Sequence, residues 1–309
     1  MFILLSYIGL LPHYTIECVH QIRLYFKGLI YLITDDFNDR YNLLNKLIND
    51  YNVIIINYNL VKSVDFDGLM KINGHNIDIF HAEKNGRQLI FVRALERFYL
   101  AHNLINLLNL NDVFYMEIDN LIYDNPEKWL NNFKQKDFCF MCHTSNECSS
   151  GICYIKNKNS LIPFLSVLND YILEAKIGKY YNEMRGLKIL YEKYPNYISL
   201  LPSIYPNNKT DELTYKNYDL YRSIFDPACY GIYIMGEDRI HNGGQLVKNK
   251  SLKHHLIYCS DYQYKWEVDK DGLKKPYIYN KNNNEWILIN NLHVHAKNLE
   301  EGLSKPLIS

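Results

Sequence analysis

The chain has 309 residues, 48% of them hydrophobic, and its 34 basic side chains balance its 34 acidic ones. That is enough apolar material for a large core, as one domain or two. A formal charge of zero gives no electrostatic case for nucleic acid or an anionic membrane as partner.

The first residues, Met1 to Leu11, are apolar but lack a basic leader and a small-residue cleavage site. They are too few to span a bilayer, and a buried strand ending near Gly9 accounts for them. No other segment is apolar for long enough to cross a membrane. The expectation is therefore a chain with no transmembrane segment and a cytoplasmic location, the host cytoplasm if the source is a virus.

A helix is predicted over Tyr14–Tyr25, a strand over Leu29–Thr34 that stops at Asp35-Asp36, a helix over Asn38–Tyr51 and a buried strand over Val53–Ile56. Leu89–Val92 reads as a further strand. It leads into a helix over Arg93–Asn109, where Ala94, Phe98, Ala101, Ile105 and Leu108 recur at three- and four-residue spacing. Strands alternating with helices predict a three-layer α/β fold around a mixed, largely parallel sheet. Asp35 and Asp36 follow a strand, on the edge where such sheets bind ligands. Either they accept hydrogen bonds from a base or ribose, or they cap a helix.

Asn109 to Asp112 has turn chemistry, and the apolar run Val113 to Met116 follows it. Glu117-Ile118-Asp119 closes that run. If the strand continues to 119, the two carboxylates share one face. A pair of carboxylates at the end of a buried strand is costly to leave uncompensated. A hard divalent cation, Mn or Mg, would resolve the repulsion and could hold a diphosphate. The plain alternative is two solvated side chains at a strand end.

After residue 125 the pattern changes. Strands near 138–142 and 151–155 precede helical patterns at Leu161–Ala175 and Tyr181–Tyr191. Phe225–Gly236 mixes turn and apolar residues, and Trp286–Lys297 reads as strand. On that strand His293 and His295 would face one side, with Lys297 beyond them. Imidazole suits Mn or Zn, and an ammonium suits phosphate. Hydrogen-bonded histidines with no ligand are the alternative.

The seven cysteines are odd in number and scattered, which favours a reducing compartment over a disulfide framework. Cys139, Cys142, Cys148 and Cys153 cluster, but their spacing suits buried strands better than zinc. The 28 tyrosines accompany many Asn, Ile and Lys residues and reflect A/T-rich coding. Asn208-Lys-Thr210 and Asn249-Lys-Ser251 match the glycosylation sequon, and 248–255 reads as a solvated basic loop.

Leu95 to Leu100, then Val113 to Tyr123 with Glu117-Ile118-Asp119, resembles the helix and DxD-bearing strand of GT-A-fold, nucleotide-sugar-dependent glycosyltransferases. Pro12-His13-Tyr14 and Ile30 to Asp36 are similar to the donor-nucleotide half of that family. His293 to Lys297 looks like the late His and Lys that complete its metal and diphosphate shell. The chain departs from the pattern at 117, where Glu replaces the first Asp.

The resemblance runs over nearly the whole chain. It implies one catalytic domain, with a nucleotide-sugar half at 1–125 and an acceptor half at 126–309. It implies a sugar moved from a nucleotide diphosphate sugar, UDP by default, to a hydroxyl of a glycan or glycoconjugate. Mn or Mg would sit on Asp119, Glu117 and His293 or His295, with Lys297 at the diphosphate. Arg93 and Arg97 would reach donor phosphate or sugar, or form helix-surface salt bridges. Asp226 and Glu183 are the candidate bases; otherwise Asp226 is a turn residue and Glu183 an exposed helix residue. A degenerate, non-catalytic binding module and a nucleotidyltransferase are the competing readings. For the latter, Gly9, Gly28 and Gly68 stand singly and form no phosphate loop.

Overall fold

A computed structural model describes residues 1–37, 42–73, 90–176, 181–207, 210–236 and 256–307. The sequons, the basic loop at 248–255, Leu89 and the start of the helix expected from Asn38 lie wholly or partly outside the described residues.

The central sheet has seven strands: β1 Phe2–Tyr7, β2 Ile30–Thr34, β3 Val53–Asn57, β4 Val113–Met116, β6 Phe138–Cys142, β7 Cys148–Ile155 and β8 Ile198–Leu200. β5, Asn120–Ile122, lies outside it. The order is β3-β2-β1-β4-β7-β6-β8. β1, β2, β3 and β4 pair in parallel, β6 pairs in parallel with β8, and β7 runs against both β4 and β6. Every residue of β2, β4 and β6 is buried, as expected of strands covered on both faces.

The pleat assigns alternate residues to two cores. Ile3, Leu5, Leu32, Phe114 and Met116 face one of them, which also takes Cys18, Val19 and Ile22 from the helix Thr15–Tyr25 and Leu43, Leu44 and Leu47 from Leu43–Asn49. Leu4, Ile33, Val113 and Tyr115 face the other, against Leu95, Phe98, Leu104 and Ile105 of the helix Ile90–Leu108. The helices Ile162–Leu173 and Glu183–Lys193 lie on that second side. This is the mixed α/β three-layer architecture expected. Strands from residues 1–125 and from residues 126–309 share the one sheet.

Two smaller sheets complete the fold. β9 Tyr264–Val268, β10 Lys274–Asn280 and β11 Glu285–Leu288 form an antiparallel meander. β12, Asn291–His293, pairs antiparallel with β5, setting His293 opposite Asn120. Among the described residues no helix is long and apolar enough to cross a membrane.

Four expectations are corrected. The run expected as a strand at Leu89–Val92 is helical from Ile90 onward. Val92, Leu95 and Phe98 keep helical spacing and are all buried, and a short apolar run carries no period of its own to tell strand from helix. β4 stops at Met116, and 117–119 is a turn closed by Asn120 N–H donating to Glu117 C=O at 3.1 Å. Trp286–Lys297 is two short strands, with Lys297 in the left-handed region at φ 61°. Cys142 and Cys148 form a disulfide across the β6–β7 hairpin, while Cys18, Cys139, Cys153, Cys229 and Cys259 are free and buried.

Candidate metal and diphosphate site

The parallel strands β1, β2 and β4 end on one edge of the sheet, and Glu117-Ile118-Asp119 turns across that edge. Two backbone bonds pin the turn. Glu117 N–H donates to Gly151 C=O of β7 at 2.8 Å, and Val294 N–H donates to Asp119 C=O at 2.8 Å. The second bond continues the β5–β12 ladder and delivers His293. Its Nε2 lies 3.1 Å from Asp119 Oδ1 and 3.2 Å from Glu117 Oε2.

One ligand atom each from Glu117, Asp119 and His293 lies within 4.8 Å of the others. The donor set, two carboxylates and an imidazole, suits Mn, and Mg less well. Asp119 is buried, and one ring nitrogen of His293 lies within 3.2 Å of both its Oδ1 and Glu117 Oε2. Two carboxylates converging on one imidazole fit a position meant for a cation.

Glycine makes room for the imidazole. A Cβ on Gly151 would lie 2.7 Å from His293 Nδ1, so the ring occupies space beside a strand position that only glycine leaves open. A Cβ on Gly231 would collide with His293 C=O, where the short helix Tyr230–Met235 crosses the end of β12.

Charges interleave. Lys297 pairs with Asp119 and also lies over the Tyr14 ring, 5.8 Å from its centroid. Arg97 pairs with Glu117. Burial favours the neutral acid of Glu117, but Arg97 and then His293 override it and hold its pKa at about 2. Burial acts the same way on Asp119, and His293 and Lys297 drive its pKa well below the ordinary value. Burial would strip the proton from His293, yet Asp119 and Glu117 raise its pKa to about 10. The His295 ring sits 4.7 Å from that of His293, and burial and its neighbour lower its pKa to about 3.

The remaining expected residues sort by geometry. Asp35 accepts from Gly9 N–H at 2.7 Å and Asp36 from Leu11 N–H at 2.9 Å, so both fasten the loop after β1, and among the described residues neither caps a helix. Arg93 turns to Glu96, which also takes the Tyr58 hydroxyl. Glu183, expected to be exposed if not catalytic, is buried, and its Oε1 lies 2.9 Å from Arg97 Nη2. Burial raises its pKa against the pull of Arg97.

Asp226 is fully buried and accepts four backbone N–H groups, from Cys229, Tyr230, Gly231 and His293, at 2.6 to 2.9 Å. Burial raises its pKa against those amides. A carboxylate so committed fixes the backbone under His293 and offers an acceptor hydroxyl no free lone pair.

Sequence reasoning missed Ser150, Gly151 and the Asn120–Asn291 side-chain bond of 3.0 Å that ties β5 to β12. A glycine inside a strand, in Ser149-Ser150-Gly151-Ile152, was the available signal.

No protein-family model and no curated protein matches the chain. Among solved structures it is similar to mouse xyloside xylosyltransferase 1 in its apo form, with a TM-score of 0.45 and 7% identity over 65% of this chain and 84% of that one. It is similar to the glycosyltransferase GlyE of Streptococcus pneumoniae TIGR4, with a TM-score of 0.40 and 10% identity over 65% of this chain and 44% of that one. A third similarity is to the PaToxG glycosyltransferase, with a TM-score of 0.37 and 14% identity over 63% of this chain and 69% of that one.

Proposed function

We propose that this chain is a metal-dependent glycosyltransferase that moves a sugar from a nucleotide diphosphate sugar to an acceptor hydroxyl of a glycan or glycoconjugate. The observation that carries the reading is the convergence of Glu117, Asp119 and His293 at the carboxyl edge of the parallel strands, with Lys297 alongside. The sequence resemblance to GT-A enzymes supports it and makes UDP the default nucleotide.

Glu117, Asp119 and His293 would hold Mn or Mg, with the His295 ring tilted against that of His293. Bound there, the cation would neutralise charge that builds on the departing diphosphate. Lys297, 36% exposed and paired with Asp119, would offer its ammonium to a phosphate oxygen. Tyr14, under that ammonium, lines the same approach. Asp35 and Asp36 hold the loop between β1 and Tyr14, and so act on the donor side through backbone placement. Neither Asp226 nor Glu183 is assigned as base, since backbone amides occupy the first and burial beside Arg97 the second. The reading takes residues 1–309 as one catalytic domain, with its donor half before residue 126.

The test is incubation with Mn and a panel of UDP-, GDP- and dTDP-sugars. Release of nucleoside diphosphate from one of them, abolished by Asp119→Asn, is the expected result. Release of pyrophosphate would mean nucleotidyl transfer instead. Thermal stabilisation by a nucleotide without turnover would mean a binding module.

A further inference from the structure

We propose that Arg97 is a positioning residue for the metal site: bound by Ser150 and Glu183, it sets the carboxylate of Glu117 for the cation. The inference rests on the metal reading above and extends it to residues that touch neither metal nor donor.

Arg97 comes from the helix Ile90–Leu108, on the opposite side of the sheet from the helix Thr15–Tyr25. Its side chain is 11% exposed. One terminal nitrogen, Nη1, pairs with Glu117. The other, Nη2, donates to Ser150 Oγ and to Glu183 Oε1, both at 2.9 Å. The three acceptors come from the turn after β4, from β7 and from the first residue of the helix Glu183–Lys193. A planar guanidinium can meet three acceptors in fixed directions, whereas an ammonium acts as a point charge.

The arrangement accounts for Glu in place of Asp at 117. The side chain spans from the edge turn to both Arg97 and His293, with Oε1 on the arginine and Oε2 3.2 Å from the imidazole. A side chain one methylene shorter would give up one of the two. Glu183 has a second effect. If Arg97 served Glu117 alone, its full charge would compete with the cation for that carboxylate. With Glu183 sharing the guanidinium, Glu117 keeps charge to offer. Among the described residues Glu183 Oε2 has no hydrogen-bond partner, while Oε1 faces the arginine.

Glu183→Gln keeps the shape and removes the charge; Arg97→Lys keeps the charge and removes the fork. Mn binding to each is measured by titration calorimetry and by loss of the free Mn spectrum, and the melting temperature is taken in EDTA. The expected result is Mn affinity about 10- to 100-fold weaker in both, the range found when outer-shell partners are altered, with the EDTA melting temperature of Glu183→Gln close to wild type. Wild-type Mn affinity in folded Glu183→Gln overturns the proposal, and that variant decides alone if Arg97→Lys does not fold. Asp119→Asn separates the two claims. If it binds Mn normally, the metal reading fails; if it loses Mn while Glu183→Gln and Arg97→Lys retain it, only the positioning role fails.

Discussion

Two buried aspartates sit on either side of His293 and are stabilised by opposite means. Asp226 rests on four backbone amides, and Asp119 on the side chains of His293 and Lys297. Both are buried, yet the pKa of Asp226 is raised and that of Asp119 lowered. Amide dipoles carry partial charges and do not fully offset desolvation here, whereas whole cations within about 3 Å do. The difference is also one of exchangeability. Backbone amides cannot leave, so Asp226 is a fixture. Lys297 can swing away and His293 can give up a proton, so Asp119 can change partners.

The sharpest way to break this contrast is at Asp226. Asp226→Ala would strand four buried N–H donors at about 1–3 kcal/mol each, comparable with the whole ~5–15 kcal/mol of a typical domain. Circular-dichroism melting should show an unfolded protein or a melting temperature more than about 10 °C lower. A melt near wild type would show that the amides find other acceptors.

Asp119→Asn should do the reverse. Mn binding and sugar transfer should each fall by more than about 100-fold, beyond the usual cost of an outer-shell change. The melting temperature in EDTA should move far less than for Asp226→Ala. A large drop in melting temperature with full activity would make Asp119 the structural member of the pair.

Acidity probes the exchangeable side. The folded pKa of His293, about 10, lies above its ordinary 6.5. Without metal, the stability this group contributes is complete below pH 6.5 and is lost as pH rises through 10. Metal needs the neutral imidazole, so Mn uptake should release a proton, and apparent affinity should rise about tenfold per pH unit between those limits. Calorimetry in buffers of different ionisation enthalpy reads the proton directly.

The smallest effect is expected at Arg93, 40% exposed and paired with Glu96 three residues on. Arg93→Gln should cost at most about 1 kcal/mol and leave turnover within about twofold. A large rise in the donor KM would return Arg93 to the donor site.

The sequence reading reached the residues whose chemistry is local. β1, β2, β3 and β4 are apolar runs with polar stops, and the Glu-Ile-Asp and His-Val-His triplets stand out by composition alone. It missed what depends on partners distant in the chain. Asp226 acquires its role from His293, 67 residues on, and Arg97 from Glu183, 86 residues on. The turn at 117–119 has no signature of its own, because nothing in three residues reveals the bond from Asn120 N–H to Glu117 C=O. The Cys142–Cys148 pair was unreadable for a similar reason, since it depends on the hairpin that sets the two residues opposite each other.

The bond between Lys297 and Asp119 joins positions 178 apart. An insertion between them would lengthen the loop that this pair closes, yet raise its entropic cost only slowly, by about 0.6 kcal/mol per doubling of length.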